Sequence, residues 1–268
     1  MRSAIRLLFV LCTLAVLTTI TSAQSISEPK MRLLLISNST KVGEPYLDYP
    51  KNEIKAFLGD MPVTVLVIPY APVKVPPDEL ERMIKERLKE IGHDAIGIHR
   101  FPDPVKAVNE AQAIMVSGGN TFKLLHDLRA NGLLEPIRAK VKGGTPYLGW
   151  SAGANVAGPT IMTTNDMPII DPKGLQALDL VPFQLNPHYL DGKPAGYAGE
   201  GRDDRLKEFV YFNRDRYVVG LPEQNMLRID GGTIRLIGSG TVRVFGKGPD
   251  APLRDLGASD DLRFLLAR

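Results

Sequence analysis

A chain of 268 residues, 44% hydrophobic and 24% charged, is long enough to bury a sizeable core. Its 33 basic and 30 acidic residues leave a formal net charge of only +3, and no basic run interleaved with aromatics marks a nucleic-acid groove. Cys12 is the only cysteine, which excludes an internal disulfide framework and a cysteine-based metal site.

Arg2 and Arg6 precede an apolar run from Leu7 to about Leu17, and Thr21-Ser22-Ala23 follows with small residues. Basic, apolar and small-residue regions in that order read as a secretory signal peptide, residues 1–23. Its removal lowers the net charge by two, and places the mature chain in the periplasm or outside the cell. The run is shorter than the roughly 20 residues of a spanning helix, so no stable membrane insertion is expected afterwards. Met31 could also begin translation, and the product would then be cytoplasmic.

From Met31 onward, short β-rich apolar runs alternate with helical patterns, the mark of a mostly parallel sheet flanked by helices. Strands are predicted at 32–37, 63–69, 94–98, 112–117 and 145–149. Leu80, Met83, Ile84, Leu88 and Ile91 recur at helical spacing after Pro77, and Asn120 caps a helix carrying Phe122, Leu124, Leu125 and Leu128. From Ser151 to about residue 201 the pattern is irregular and rich in Pro, Asp and Asn, and reads as long surface loops. A helix near 202–212, a strand at 217–221 and three short antiparallel strands follow, with Asp230-Gly231-Gly232 as a turn. No repeat or linker interrupts residues 24–268, so a single α/β domain with a short antiparallel C-terminal extension is predicted.

Gly149-Trp150-Ser151-Ala152-Gly153 falls where a strand hands over to a helix. Such a G-x-S-x-G turn can hold a serine hydroxyl above a sheet, its glycines allowing a tight bend. The plainer reading is a glycine-rich connection, and what favours Ser151 as a nucleophile is the company available to it. Of four histidines, His93, His99 and His126 sit in surface or packing contexts, whereas His188 lies in an irregular segment that can deliver a base. Asp166 and Glu223 are both open as the carboxylate that orients the imidazole. Gly118-Gly119, between a predicted strand and a helix start, can offer N–H groups to an oxyanion together with Ala152. A phosphate cradle is disfavoured there, because no G-x-G-x-x-G or Walker lysine accompanies the glycines.

Ser117-Gly118-Gly119-Asn120-Thr121-Phe122, Gly149 to Asn155, Thr163-Thr164-Asn165-Asp166-Met167-Pro168 and Asn186-Pro187-His188, in that order, resemble the peptidase E family of aspartyl dipeptidases. The likeness runs from Met31 to about Gly248. It implies a fold related to class I glutamine amidotransferases and a serine peptidase that cleaves dipeptides with an N-terminal aspartate. It also implies Ser151 as nucleophile, His188 as base, Asp166 or Glu223 as the acidic partner, and Arg202 as the anchor for the substrate's aspartate. A guanidinium can grip a carboxylate through two parallel hydrogen bonds; alone, Arg202 would read as a surface ion pair at a helix start. No cofactor or metal is expected, since no H-E-x-x-H or clustered His/carboxylate motif is present. The expected partner is a small acidic peptide, with no nucleic acid and with the oligomeric state open.

Two departures stand against the family pattern: the signal-like segment, and Gly201 where a larger residue often precedes the arginine. Other readings are a cyanophycinase-like or other amidotransferase-fold hydrolase, or a non-catalytic binder of acidic peptides. An α/β-hydrolase esterase is disfavoured, because only 37 residues separate Ser151 from His188.

Overall fold

The computed structural model describes residues 31–193, 196 and 198–267; the predicted signal peptide lies outside them. Strands β1 (Arg32–Ile36), β2 (Thr64–Ile68), β3 (Asp94–Gly97), β4 (Ala113–Val116) and β5 (Tyr147–Trp150) form the parallel part of a seven-stranded sheet. Their nearly continuous apolar sequences reflect burial on both faces. In β1, Leu33 and Leu35 join one core cluster while Leu34 and Ile36 join the other. Helices α1 (Lys51–Leu58) and α2 (Pro77–Lys89) cover the second face with Ile54, Phe57, Leu80, Ile84 and Leu88. Helices α3 (Pro104–Glu110), α4 (Thr121–Ala130) and α5 (Leu134–Lys142) cover the first with Val108, Leu124, Leu128, Ile137 and Val141.

After β5 come the single turn α6 (Ala152–Asn155), then β6 (Gln184–Tyr189), α7 (Arg202–Phe212), β7 (Val218–Pro222), β8 (Met226–Asp230), β9 (Thr233–Ile237), β10 (Val242–Phe245) and β11 (Arg254–Leu256). The seven-stranded order is β3-β2-β4-β5-β1-β8-β9, and the last two strands run antiparallel. A second sheet has the order β11-β10-β7-β6, in which β6 and β7 are parallel. The predicted C-terminal antiparallel strands are therefore divided: β8 and β9 extend the large sheet, while β10 joins the small one. One cluster of buried side chains, including Leu33, Leu185, Val219 and Val244, runs between both sheets.

Strand β6 replaces part of the loop expected from composition. Gln184 and Asn186 hide its apolar alternation, because the N–H groups of these buried amides donate to Thr160, Thr163 and Asn165. Pro187 is tolerated because β6 is an edge strand, and the register shifts between Pro187 and Tyr189. The Leu185 carbonyl accepts from Asn155 and Thr163, both at 2.7 Å, and the Pro187 carbonyl accepts from Asn165 at 2.9 Å. Among the described residues no helix is long and apolar enough to cross a membrane.

The corner from β5 into α6 depends on two close approaches. A Cβ on Gly153 would stand 2.1 Å from the Val116 carbonyl oxygen, and one on Gly149 would stand 2.3 Å from that of Gly153. Neither neighbour is a flexible side chain, so the backbone itself would have to move. Gly153→Ala is expected to cost about 3 kcal/mol, read as a lower urea midpoint; an unchanged midpoint would refute this account of the corner.

Candidate active site

The C-terminal ends of β1, β4 and β5 converge on one edge of the large sheet, where α/β proteins bind ligands. Ser151 leaves β5 with φ 52° and ψ −114°, an unusual backbone state for a residue with a side chain. Its N–H donates to the Ile36 carbonyl at 3.1 Å, and its carbonyl accepts from Asn155 N–H at 2.9 Å. The corner is thus tied to β1 on one side and to α6 on the other.

His188 also has positive φ, 53°, at the irregularity in β6. Its Nε2 lies 2.9 Å from Ser151 Oγ and its Nδ1 lies 2.8 Å from Glu223 Oε1. With Nδ1–H donating to the carboxylate, Nε2 is left to accept the serine proton. Both side chains are substantially exposed, the imidazole 42% and the carboxylate 55%. A contact this exposed can orient the imidazole but is not a strong buried ion pair.

Asp166, the other carboxylate considered for this role, is placed elsewhere. It accepts hydrogen bonds from the Thr121 N–H at 2.8 Å, the Thr121 hydroxyl at 2.5 Å and the Thr164 hydroxyl at 3.1 Å. This is an anion at the start of α4, where the first-turn N–H groups and helix dipole favour it. Asn120 completes the cap by accepting from Lys123 N–H at 3.0 Å and donating to the Met167 carbonyl at 2.9 Å. The Asp166 segment thereby straps down the turn that holds Gly118 and Gly119.

That turn lies against the serine. A Cβ on Gly118 would meet Trp150 Cδ1 at 2.8 Å and Ser151 Cβ at 3.0 Å, and Gly119, at φ 142°, approaches the Ala71 carbonyl carbon. Ala152 opens α6, so its N–H is among those that a helix start leaves without a partner in the helix. A cleft of about 550 Å³ is lined by Gly118, Gly119, Ser151, His188 and Glu223, with Tyr46, Val73, Val75, Leu80 and Met83 forming an apolar wall. Ser151 and His188 also border a smaller recess with Ala152, Asn165 and Asp166.

Arg202 begins α7 and donates to Asn186 Oδ1 at 3.2 Å. Asn186 in turn donates to Asn165 Oδ1 at 2.7 Å, on the border of the smaller recess. Among the described residues the arginine forms no ion pair. Burial pulls its pKa below the ordinary value, the charge of Arg205 adds to this, and Tyr189 opposes it. A guanidinium partly out of water and without a carboxylate is a cation prepared for an anion.

Two supporting residues escaped the sequence reading. Buried Ser37 accepts from His188 N–H at 2.9 Å and donates to the Leu221 carbonyl at 2.8 Å. Asn38 Oδ1 accepts from Gln224 N–H at 2.7 Å, and Tyr49 donates to the Asn38 carbonyl at 2.6 Å. Burial and then the Glu223 charge push the Tyr49 hydroxyl's pKa up, against the lowering effect of Asn38, so Tyr49 stays a neutral donor. Their position immediately after the first parallel strand is the signal that could have found them.

The fold also gathers Asp78, Glu81 and His99, a cluster that sequence spacing did not show. Arg100 reaches Asp78 at 2.7 Å and Glu81 at 3.0 Å. A guanidinium thus takes both carboxylates, and the cluster does not border the serine cleft.

These features define an α/β protein with a Ser–His–carboxylate relay at the C-terminal edge of its sheet. The model of Peptidase family S51 matches residues 33–237. Peptidase E of Nostoc sp. (strain PCC 7120) is 46% identical over 237 residues, covering 88% of this chain and 97% of that protein. Peptidase E of Salmonella typhimurium (strain LT2) is 44% identical over 227 residues, covering 85% and 99%. The chain belongs to peptidase family S51.

A peptidase from an acI-B1 Actinobacterium has a similar fold, with TM-score 0.64 and 18% identity, over 88% of this chain and 97% of that one. A putative peptidase E from Listeria monocytogenes EGD-e gives TM-score 0.58 and 21% identity, over 78% and 98%. Both likenesses concern the fold.

Ser37→Ala removes the acceptor of a backbone N–H from the His188 turn. It is expected to cost about 1–3 kcal/mol in a urea titration, and to reduce peptidase turnover by loosening His188. Wild-type stability and turnover together would show that Ser37 does not hold this turn.

Proposed function

We propose that this peptidase is a serine dipeptidase that releases N-terminal aspartate from small peptides. The observation that carries this reading is the relay from Ser151 Oγ through His188 to Glu223, with separations of 2.9 and 2.8 Å. His188 Nε2 takes the serine proton as Oγ attacks the scissile carbonyl, while Glu223 holds the imidazole and stabilises its protonated form. N–H groups of Gly118, Gly119 and Ala152 stabilise the tetrahedral oxyanion. His188 then protonates the departing amine, and water, deprotonated by the same imidazole, releases aspartate from the acyl-enzyme.

Arg202 receives the aspartate side chain. Its support is the partly buried guanidinium, without an ion pair among the described residues and linked through Asn186 and Asn165 to the recess beside Ser151. The apolar wall of Val73, Val75 and Met83 suits an apolar leaving residue. Export of the mature chain belongs to the same proposal, on the strength of the residue order in 1–23.

Purified mature protein is to be assayed on Asp-Leu, Glu-Leu, Ala-Leu and an aryl ester. Ser151→Ala is expected to lower Asp-Leu turnover at least about ten-thousand-fold, and cleavage that survives it would end the mechanism; a wild-type protein that binds Asp-Leu without cleaving it would instead be a binder of acidic peptides. Glu223→Gln is expected to lose about a hundredfold or more in kcat, whereas Asp166→Asn keeps most of it and loses about 1 kcal/mol of stability. The reverse pattern would return the acidic role to Asp166.

Arg202→Ala tests selectivity separately. The preference for Asp-Leu over Ala-Leu in kcat/KM should fall by about a hundredfold, and undiminished preference would remove Arg202 from the substrate site.

A further inference from the structure

Helix α7 begins Arg202-Asp203-Asp204. A cation on the first turn opposes the helix dipole, and two carboxylates follow it directly in the chain. Each of those acids is engaged elsewhere. Asp204 takes Lys193 Nζ at 2.9 Å and the Gly201 N–H at 2.9 Å. Asp203 takes Arg243 Nη1 at 3.1 Å and the Tyr189 hydroxyl.

Arg243 stands on β10 and is itself firmly held. Its Nε and Nη2 grip Asp255 of β11 in a two-pronged bond, each prong 2.8 Å, and Nη1 also reaches Asp191 at 2.6 Å and the Tyr189 hydroxyl at 3.2 Å. Its side chain is only 18% exposed. Such a fork has little freedom to move, and a lysine could not copy it. Tyr189 follows His188 in the chain and Asp203 follows Arg202, so one guanidinium holds the neighbour of the base and the neighbour of the anchor. Arg243 also lies beyond residue 237, where the family match ends.

We propose that Arg243 is a positioning residue that keeps Arg202 open to the substrate by holding the Asp203 carboxylate. The proposal rests on the reading of Arg202 as the aspartate anchor. The Asp203 side chain is only 23% exposed, and a carboxylate in that setting is stabilised by a neighbouring cation. With Arg243 removed, Arg202 is the neighbouring cation in the chain, and both side chains already reach β6, Arg202 at Asn186 and Asp203 at Tyr189. Asp203 would then occupy the electrostatic place of the substrate's carboxylate. Arg243 thus separates an internal competitor from the anchor.

Full-length mature protein carrying Arg243→Gln, Asp203→Asn or both is to be assayed for kcat and KM on Asp-Leu and for turnover of an aryl ester, which has no side-chain carboxylate. Arg243→Gln should raise the KM for Asp-Leu about tenfold while ester turnover stays within about twofold. Asp203→Asn alone should keep the wild-type KM, and the double variant should recover it because the competing charge is gone. A role confined to holding α7 in place predicts that the double variant remains as impaired as Arg243→Gln, and that result would overturn the proposal. Arg243→Lys, which keeps a cation at the site, should give an intermediate KM; together with the double variant it decides the matter even where Arg243→Gln fails to fold. Loss of Asp-Leu preference in Arg202→Ala, with a wild-type KM in folded Arg243→Gln, refutes this inference alone. Undiminished preference in Arg202→Ala removes the anchor on which it rests.

Discussion

The approach of Gly153 to the Val116 carbonyl oxygen is the constraint on which the site depends. Because no Cβ intervenes, α6 begins against β4 and the chain turns out of β5 in a single residue. That residue is Ser151, held with positive φ between a bond to β1 and a bond from α6. Gly118 answers the same requirement from the neighbouring strand, since a side chain there would displace Trp150 and Ser151. The serine, its backbone and the adjacent amides are consequently fixed by the packing of the large sheet rather than by their loops.

The imidazole and the carboxylate of the relay arrive from the other sheet. His188 lies near the end of β6 and Glu223 immediately follows β7, and these strands pair in parallel with Pro187 opposite Leu221 and Tyr189 opposite Pro222. The ladder brings the two residues level, so the imidazole and carboxylate meet although 35 residues separate them. Ser37 and Asn38, at the end of β1, then tie the His188 turn and the Gln224 turn to the large sheet. The Ser–His–Glu geometry is therefore a joint between two sheets, and its accuracy depends on hydrogen bonds to backbone N–H groups more than on the exposed His–Glu contact.

Much of this was legible in the sequence because the parallel strands are apolar on both faces and the helices carry stripes at helical spacing. Glycines flanking a serine, at a strand-to-helix boundary, marked the corner for an equally direct reason. Strand β6 was not legible. Its buried amides look polar in sequence, and its proline reads as a loop until the edge position makes it acceptable. The choice between Asp166 and Glu223 was likewise closed to sequence, since both stand in turns near plausible partners. Tertiary pairing separates them: Asp166 meets the N-terminus of α4, and Glu223 meets the imidazole. The division of the C-terminal strands between two sheets was hidden too, because hairpin chemistry specifies a neighbour in the chain and not which sheet receives it.

The edge of β6 has a consequence for the length of peptide that the site can hold. An edge strand beside a peptidase cleft would ordinarily let an extended chain dock by adding a strand. Here Pro187 has no N–H to offer, its carbonyl is occupied by Asn165, and the Leu185 carbonyl is occupied by Asn155 and Thr163. A long peptide therefore gains little from its repeating backbone along this rim, and recognition falls to the ends and side chains of the ligand. A groove of that kind measures a molecule by its termini, as a caliper does, rather than by reading along it.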